Sequence, residues 1–179
     1  RGIIAPTPLL TDEALSREIG SRAYVKAECL QKSGSFKIRG AYNKISHLTK
    51  EEKARGVIAP SAGNHAQGVA LAAKLHGIRA VIVMPQYAPL TKVRATQALG
   101  AEVVLSGLSF DDAAAHAREL AQQHGYTWVH AFDDERVIAG QGTIGLEILA
   151  ALPEVSTLVV PIGGGGLVSG IAVAAKSLK

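Results

Sequence analysis

From Gly56 onward the chain repeats one unit: a glycine, a short aliphatic strand, a loop, a helix, and the next glycine. The strands read as residues 57–59, 80–84, 102–105 and 127–129, preceded by Gly56, Gly77, Gly100 and Gly125. A glycine just past a helix end supplies the left-handed residue that closes it, and Ser109 or Asp111 can cap the helix that runs to His124. The intervals lengthen from one unit to the next, which fits a βα series and is too irregular for a solenoid. Strands alternating with helices imply a parallel sheet, right-handed crossovers and ligand loops at the carboxyl ends of the strands. Hydrophobic residues make up 47% and aromatics only 4%, as expected for small side chains packing helices onto branched aliphatic strands.

The flanks are organised differently. Residues 5–10 hold two prolines, which disfavour helix and central strand; residues 11–20 read as a short helix or turn and 23–27 as a strand. The loop ending at Lys37 passes into a helix through Ala41, Tyr42, Ile45 and Leu48, closing near the charged residues 50–53. A second α/β segment follows Phe132-Asp133-Asp134. Its helix over 137–152 aligns Ile144, Ile148 and Leu152, a strand is expected at 157–161, and a last helix runs from Leu167 to Lys179. A parallel strand buried on both faces needs neighbours on each side. The chain is therefore expected to be a fragment, or to have its sheet completed by a partner chain.

With 179 residues the chain can form one ordinary domain or two small ones. The net charge of +4 comes from scattered Lys and Arg, so no nucleic-acid partner is expected and only a modest attraction for anions follows. Cys29 is the single cysteine; it excludes an internal disulfide and a Cys-rich zinc site, and reads as a small buried hydrophobe beside a strand. The apolar runs 158–162 and 171–175 are too short to span a bilayer. The chain itself carries no secretory signal pattern, although it opens on Arg1 rather than Met, and a cytoplasmic protein with no membrane partner and no metal is expected.

The chemistry centres on Ser33-Gly34-Ser35-Phe36-Lys37-Ile38-Arg39-Gly40-Ala41. An isolated lysine is ordinarily a solvated surface group, but two further stretches change its meaning. Ser61-Ala62-Gly63-Asn64-His65 follows a strand and precedes a helix, so its amides sit at a positive helix end suited to a carboxylate. Gly163, Gly164, Gly165 and Gly166 lie at the same kind of junction, where bare backbone can close around a phosphate. Each has a plainer reading: Ser61 or Asn64 as a helix cap, His65 as a surface or capping histidine, the glycine run as a tight connection. The run is no Walker loop, and counted from Gly164 the third dinucleotide-fingerprint glycine is Ser169. A reactive lysine between a phosphate cradle and a carboxylate cradle is what pyridoxal phosphate chemistry on an amino acid requires.

Through 34–41, 61–68, 137–143 and 161–167 the chain resembles the pyridoxal phosphate-dependent threonine/serine dehydratases, of the tryptophan synthase β-type fold (fold type II), and within them the biodegradative type. The resemblance implies a small βα domain, residues 55–131, inserted into a larger cofactor-binding α/β domain, residues 1–54 and 132–179, which is incomplete here. It implies that Lys37 carries pyridoxal 5'-phosphate as a Schiff base and acts as the catalytic base, that Phe36 packs beside the cofactor ring, and that Asn64 bonds its phenolic oxygen. Gly163, Gly164, Gly165, Gly166 and Leu167 would hold the phosphate; Ser61, Ala62, Gly63, Asn64 and His65 would hold the substrate carboxylate. The implied reaction is deaminating dehydration of L-threonine or L-serine to 2-oxobutanoate or pyruvate and ammonia, by a homo-oligomer. The alternatives are a noncatalytic fragment and a serine racemase-like member. Racemases of the family carry serine where Ala62 stands, and a methyl group cannot transfer a proton, so racemisation is expected to be weak and Ala62→Ser to raise it. The family continues beyond a point equivalent to Lys179, where it supplies further strands, the hydroxyl facing the pyridine nitrogen and part of a cation site.

Overall fold

The computed structural model describes residues 4–178. Arg1 and Lys179, and with them the expected end of the last helix, lie outside the described residues. The amino-terminal flank forms β1 (Leu9–Thr11), α1 (Glu13–Ile19) and β2 (Tyr24–Lys26), with β1 and β2 antiparallel and Leu10 opposite Val25. The strand starts immediately after Pro8, at the edge of a two-stranded ribbon where the missing proline donor costs nothing. A short 3-10 turn over Glu28–Leu30 then leads to α2 (Lys37–Ser46). Cys29 sits on that turn and is exposed, which corrects the buried position expected for it. The turn lies outside any strand, and no sheet face covers it.

The helix begun at Lys37 also ends earlier than expected. Thr49 starts a separate helix, α3 (Lys50–Arg55), through a capping box: its hydroxyl accepts from the Glu52 amide at 3.2 Å, and its own amide donates to the Glu52 carboxylate at 2.7 Å. Two amides that would otherwise be orphaned are satisfied, which favours a new start over continuation.

The repeat gives β3 (Val57–Pro60), α4 (Asn64–His76), β4 (Ala80–Met84), α5 (Leu90–Ala98), β5 (Glu102–Leu105), α6 (Phe110–His124) and β6 (Thr127–Trp128). All four strands are parallel, in the order β5-β4-β3-β6, with Val57 level with Ala80 and Thr127. Every residue of β3 and β4 is buried, because alternate side chains serve two cores. Val57, Ala59, Ile82 and Met84 pack with Val69 and Ala73 of α4 and with Ile38 and Ile45 of α2. Ile58, Val81 and Val83 pack with Ala113 and Ala117 of α6. The parallel order places Ser61, after β3, and Val129, after β6, at the same edge of the sheet, where open α/β sheets place their ligands.

Helices extend this arrangement sideways. On the far side of α2 from α4 lies α7 (Glu135–Ala151), and α8 (Gly166–Leu178) lies on α7. Glycines allow these crossings: a Cβ on Gly140 would stand 2.5 Å from the Arg39 carbonyl oxygen, and one on Gly170 2.3 Å from that of Ile138. The strand expected at 157–161 is not formed. The segment pairs with no described strand, and Val159 and Ile162 are 94% and 72% exposed. A segment without a pairing neighbour has no ladder to close.

Candidate active site

Lys37 is the first residue of α2, reached through a turn in which Gly34 has φ +73° and the Ser33 hydroxyl donates to the Ser35 carbonyl. Phe36 precedes the helix without offering a side-chain cap. The Lys37 side chain is half-buried; Nζ donates to the Ala131 carbonyl at 2.7 Å and stands 5.3 Å from the centre of the Phe36 ring. Burial holds its pKa below the ordinary lysine value, because removing an ammonium from water disfavours the charged form. From the other side Gly68 of α4 meets the lysine backbone: a Cβ there would lie 3.0 Å from the Lys37 carbonyl carbon. Phe36 itself packs into the cluster of Ile144, Ile148, Ile171 and Leu167.

The second stretch opens α4. Ser61 Oγ accepts from the amides of Gly63 and Ala66, both at 3.2 Å. The N-cap of α4 is Gly63 rather than Ser61 or Asn64, and the Ser61 hydroxyl, two residues earlier, closes the loop onto a first-turn amide. Ala62 and Gly63 are half-buried and Asn64, at the first helical position, is exposed. His65 is buried, against the expectation of a surface or capping histidine. Its Nε2 lies 2.8 Å from the Val129 carbonyl oxygen, and because a carbonyl only accepts, that nitrogen carries the proton. Burial, opposed by that hydrogen bond and reinforced by the charge of Lys37 and by His130, lowers its pKa from 6.5 to about 4.

The glycine loop divides into two kinds of position. Cβ atoms on Gly164 and Gly166 would lie 2.4 Å from the Phe132 ring and 2.6 Å from the Phe132 carbonyl oxygen, so these two allow the loop to rest on Phe132. Gly163 and Gly165 face open space, and Gly165 has φ +87°. The first amides of α8 have no intrahelical acceptor by geometry, and the helix dipole adds positive potential there.

One segment ties these parts together, and local pattern reading missed it. After β6 the Val129 carbonyl takes His65, the Ala131 carbonyl takes Lys37, and Phe132 supports the glycine loop. The turn is braced by His130, whose Nδ1 accepts from the amides of Phe132 and Asp133 at 3.3 and 2.7 Å and whose ring meets Phe132 edge-on. Arg39 was missed too. Its guanidinium, 2% exposed as a residue, bonds both oxygens of Glu28 and both of Glu147, plus Thr143. It joins the 3-10 turn and α7 to the helix that begins at Lys37, and its sequence signal was only a basic residue two places after the lysine.

These residues fit pyridoxal phosphate. A partly desolvated primary amine suits imine formation with an aldehyde, and two unobstructed glycines before a helix end suit a phosphate. Comparison with known proteins agrees. The family model described as pyridoxal-phosphate dependent enzyme matches residues 1–179. L-threonine ammonia-lyase of Thermotoga maritima is 57% identical over 179 residues, 100% of this chain and 45% of that protein. The catabolic L-threonine dehydratase of Staphylococcus aureus strain N315 is 55% identical over 177 residues, 98% of this chain and 51% of that protein. Among solved structures, processed threonine deaminase isoform 2 of Solanum lycopersicum superposes with a TM-score of 0.95 at 47% identity, covering 98% of this chain and 48% of that one. Maize serine racemase does so with a TM-score of 0.95 at 41% identity, covering 98% and 53%. The chain belongs to the pyridoxal-phosphate dependent enzyme family, with the parallel α/β architecture of fold type II. It spans about half the length of the curated relatives it matches.

Proposed function

We propose that this chain carries the lysine-bearing part of a cytoplasmic, homo-oligomeric dehydratase that converts L-threonine, and L-serine, to 2-oxobutanoate or pyruvate with release of ammonia. The observation that carries the reading is the half-buried Lys37 amine, held on the Ala131 carbonyl between the start of α4 and the segment that supports the glycine loop. The small domain would comprise residues 55–131 and the larger one residues 1–54 and 132–179. No described helix is long and apolar enough to cross a membrane.

Pyridoxal phosphate, when bound, supplies an aldehyde for imine formation and a ring that withdraws electrons from the substrate Cα. Lys37 would hold that aldehyde and, once displaced by the substrate amine, take the Cα proton on Nζ. Its lowered pKa favours the neutral amine that this needs. Gly163, Gly164, Gly165, Gly166 and Leu167 would hold the phosphate through backbone amides. Phe36 would flank the ring and Asn64 would donate to the ring oxygen. Ser61 and the amides of Ala62, Gly63, Asn64 and His65 would orient the carboxylate, and the helix dipole of α4 favours that charge. The methyl group of Ala62 offers no proton, which supports elimination over racemisation.

A second reading has its own support. The segment at 157–161, which pairs with no described strand and leaves Val159 and Ile162 exposed, fits a fragment that keeps the fold without turnover. Visible absorbance separates the two readings. The dehydratase reading expects a Schiff-base band with pyridoxal phosphate, its loss in Lys37→Ala, a change on adding threonine, and 2-oxobutanoate in the product. A folded chain with no band, or a band without product, would leave the fragment reading standing.

A further inference from the structure

His65 occupies a place that its neighbours in sequence do not explain. It is 5% exposed, on the first turn of α4, and its side chain points away from the open helix end to the Val129 carbonyl. That carbonyl belongs to a residue with 0% exposure whose amide is already held by the Ile58 carbonyl at 3.0 Å. Two residues on, the Ala131 carbonyl receives the Lys37 amine at 2.7 Å. Nothing on α2 itself holds that amine. Its position is set across the domain by the turn at 129–131.

We infer that His65 is a positioning residue for Lys37: by fixing the Val129 carbonyl it fixes the turn whose Ala131 carbonyl orients the amine. This rests on the reading of Lys37 as the cofactor lysine for its catalytic meaning, though the positioning itself does not depend on it. A ring of this kind has to stay neutral and protonated on Nε2, since its task is to donate one hydrogen bond without placing a charge beside the lysine. The titratable groups whose charge acts on the ring are Lys37 and His130, and His130 accepts backbone amides on Nδ1. Gly68 completes the device, because its lack of a side chain lets α4 lie directly against the Lys37 backbone. One turn of α4 thus acts on both ends of the lysine, through contact at its backbone and through the turn at its amine.

The test uses the chain with labelled lysine, the Lys37 signal being assigned by its loss in Lys37→Ala. Two readings are taken for each variant: the titration of the Lys37 amine by NMR, and the rate at which it forms an adduct with pyridoxal phosphate at neutral pH. In His65→Leu, which keeps bulk and loses the donor, the released amine gains solvent. Its titration should move up by about half a pH unit, toward the ordinary lysine value, and the adduct rate should fall about three-fold with the free-amine fraction. His65→Gln, which can donate from a similar position, should restore both. Leu120→Ala, which loosens the opposite face of the sheet, should change neither. Unmoved readings in a folded His65→Leu, or an equal shift in Leu120→Ala, would overturn the inference. If His65→Leu does not fold, the imidazole nitrogen spectrum of the unaltered chain decides, since a proton on Nδ1 and none on Nε2 would exclude the bond. Failure of the cofactor reading looks different: no adduct forms, while the titration and the imidazole spectrum still report on the His65 bond.

Discussion

The two anion cradles share a small-residue loop that opens a helix, yet they are held in opposite ways. The loop at 61–65 leaves a fully buried strand paired on both sides, is closed by its own Ser61 hydroxyl, and is anchored by a titratable side chain, His65. The loop at 163–166 leaves a segment that pairs with no described strand, though Leu158 and Val160 pack against Ile144, Ile148 and Ile171, and it rests on one aromatic residue, Phe132. Its helix is held by the bare-backbone crossing of Gly142 and Gly170. Similar sequence grammar therefore yields one cradle fixed by hydrogen bonds and another fixed by close apolar and backbone contact.

The largest effect should come from filling the glycine crossing. In Gly170→Ala the new methyl would stand 2.3 Å from the Ile138 carbonyl oxygen and 2.7 Å from the Gly142 amide nitrogen. Backbone cannot yield as a flexible side chain can, so α8 must move off α7, costing about 3 kcal/mol. Urea unfolding measures this, and a midpoint close to that of the unaltered chain would show that the crossing is softer than the contacts imply.

Acid should distinguish the cradles next, because only the first depends on a buried imidazole. His65 titrates near 4 when folded against 6.5 ordinarily. Between those values the unfolded chain binds a proton that the folded chain refuses, so stability is complete above the upper value and falls as pH falls toward the lower one. Up to about 3 kcal/mol is involved. Urea midpoints at pH 7 and pH 4.5 should fall further for the unaltered chain than for His65→Gln, and equal falls would remove the imidazole from the account.

The smallest effects compare the loops directly. Ser61→Ala deprives the Gly63 and Ala66 amides of their acceptor and should cost about 1 kcal/mol. Gly163→Ala meets nothing within 4 Å and should change stability by less than about 0.5 kcal/mol, while weakening pyridoxal phosphate binding measured by absorbance titration. A destabilised Gly163→Ala would mean that the second cradle is internally closed like the first.

Much of this molecule is local and therefore readable from residue order alone. The bounds of β4 and β5, the Ser109 cap and the end of α6 at His124 coincide with the readings made from aliphatic runs, a hydroxyl before a helix and a glycine after it. The place of Lys37 at a helix start and both glycine-bearing junctions were legible for the same reason: caps, turns and periodicity involve residues a few places apart. Family membership was legible as well, because the motifs are contiguous. The exposure of Cys29, the burial of His65, the missing strand at 157–161 and the four-carboxylate-oxygen cage around Arg39 were not. Each depends on what lies across the fold: whether a sheet face covers a turn, whether a carbonyl stands opposite a ring, whether a neighbour offers a ladder. The turn at 129–132 is the clearest case. Nothing in its residues announces a role, because what it contributes is two backbone carbonyls and a ring face, and every residue has the former. Only the parallel order of β3 beside β6 brings those carbonyls to the lysine and the histidine, so sequence determined which groups could do chemistry and tertiary structure decided what holds them.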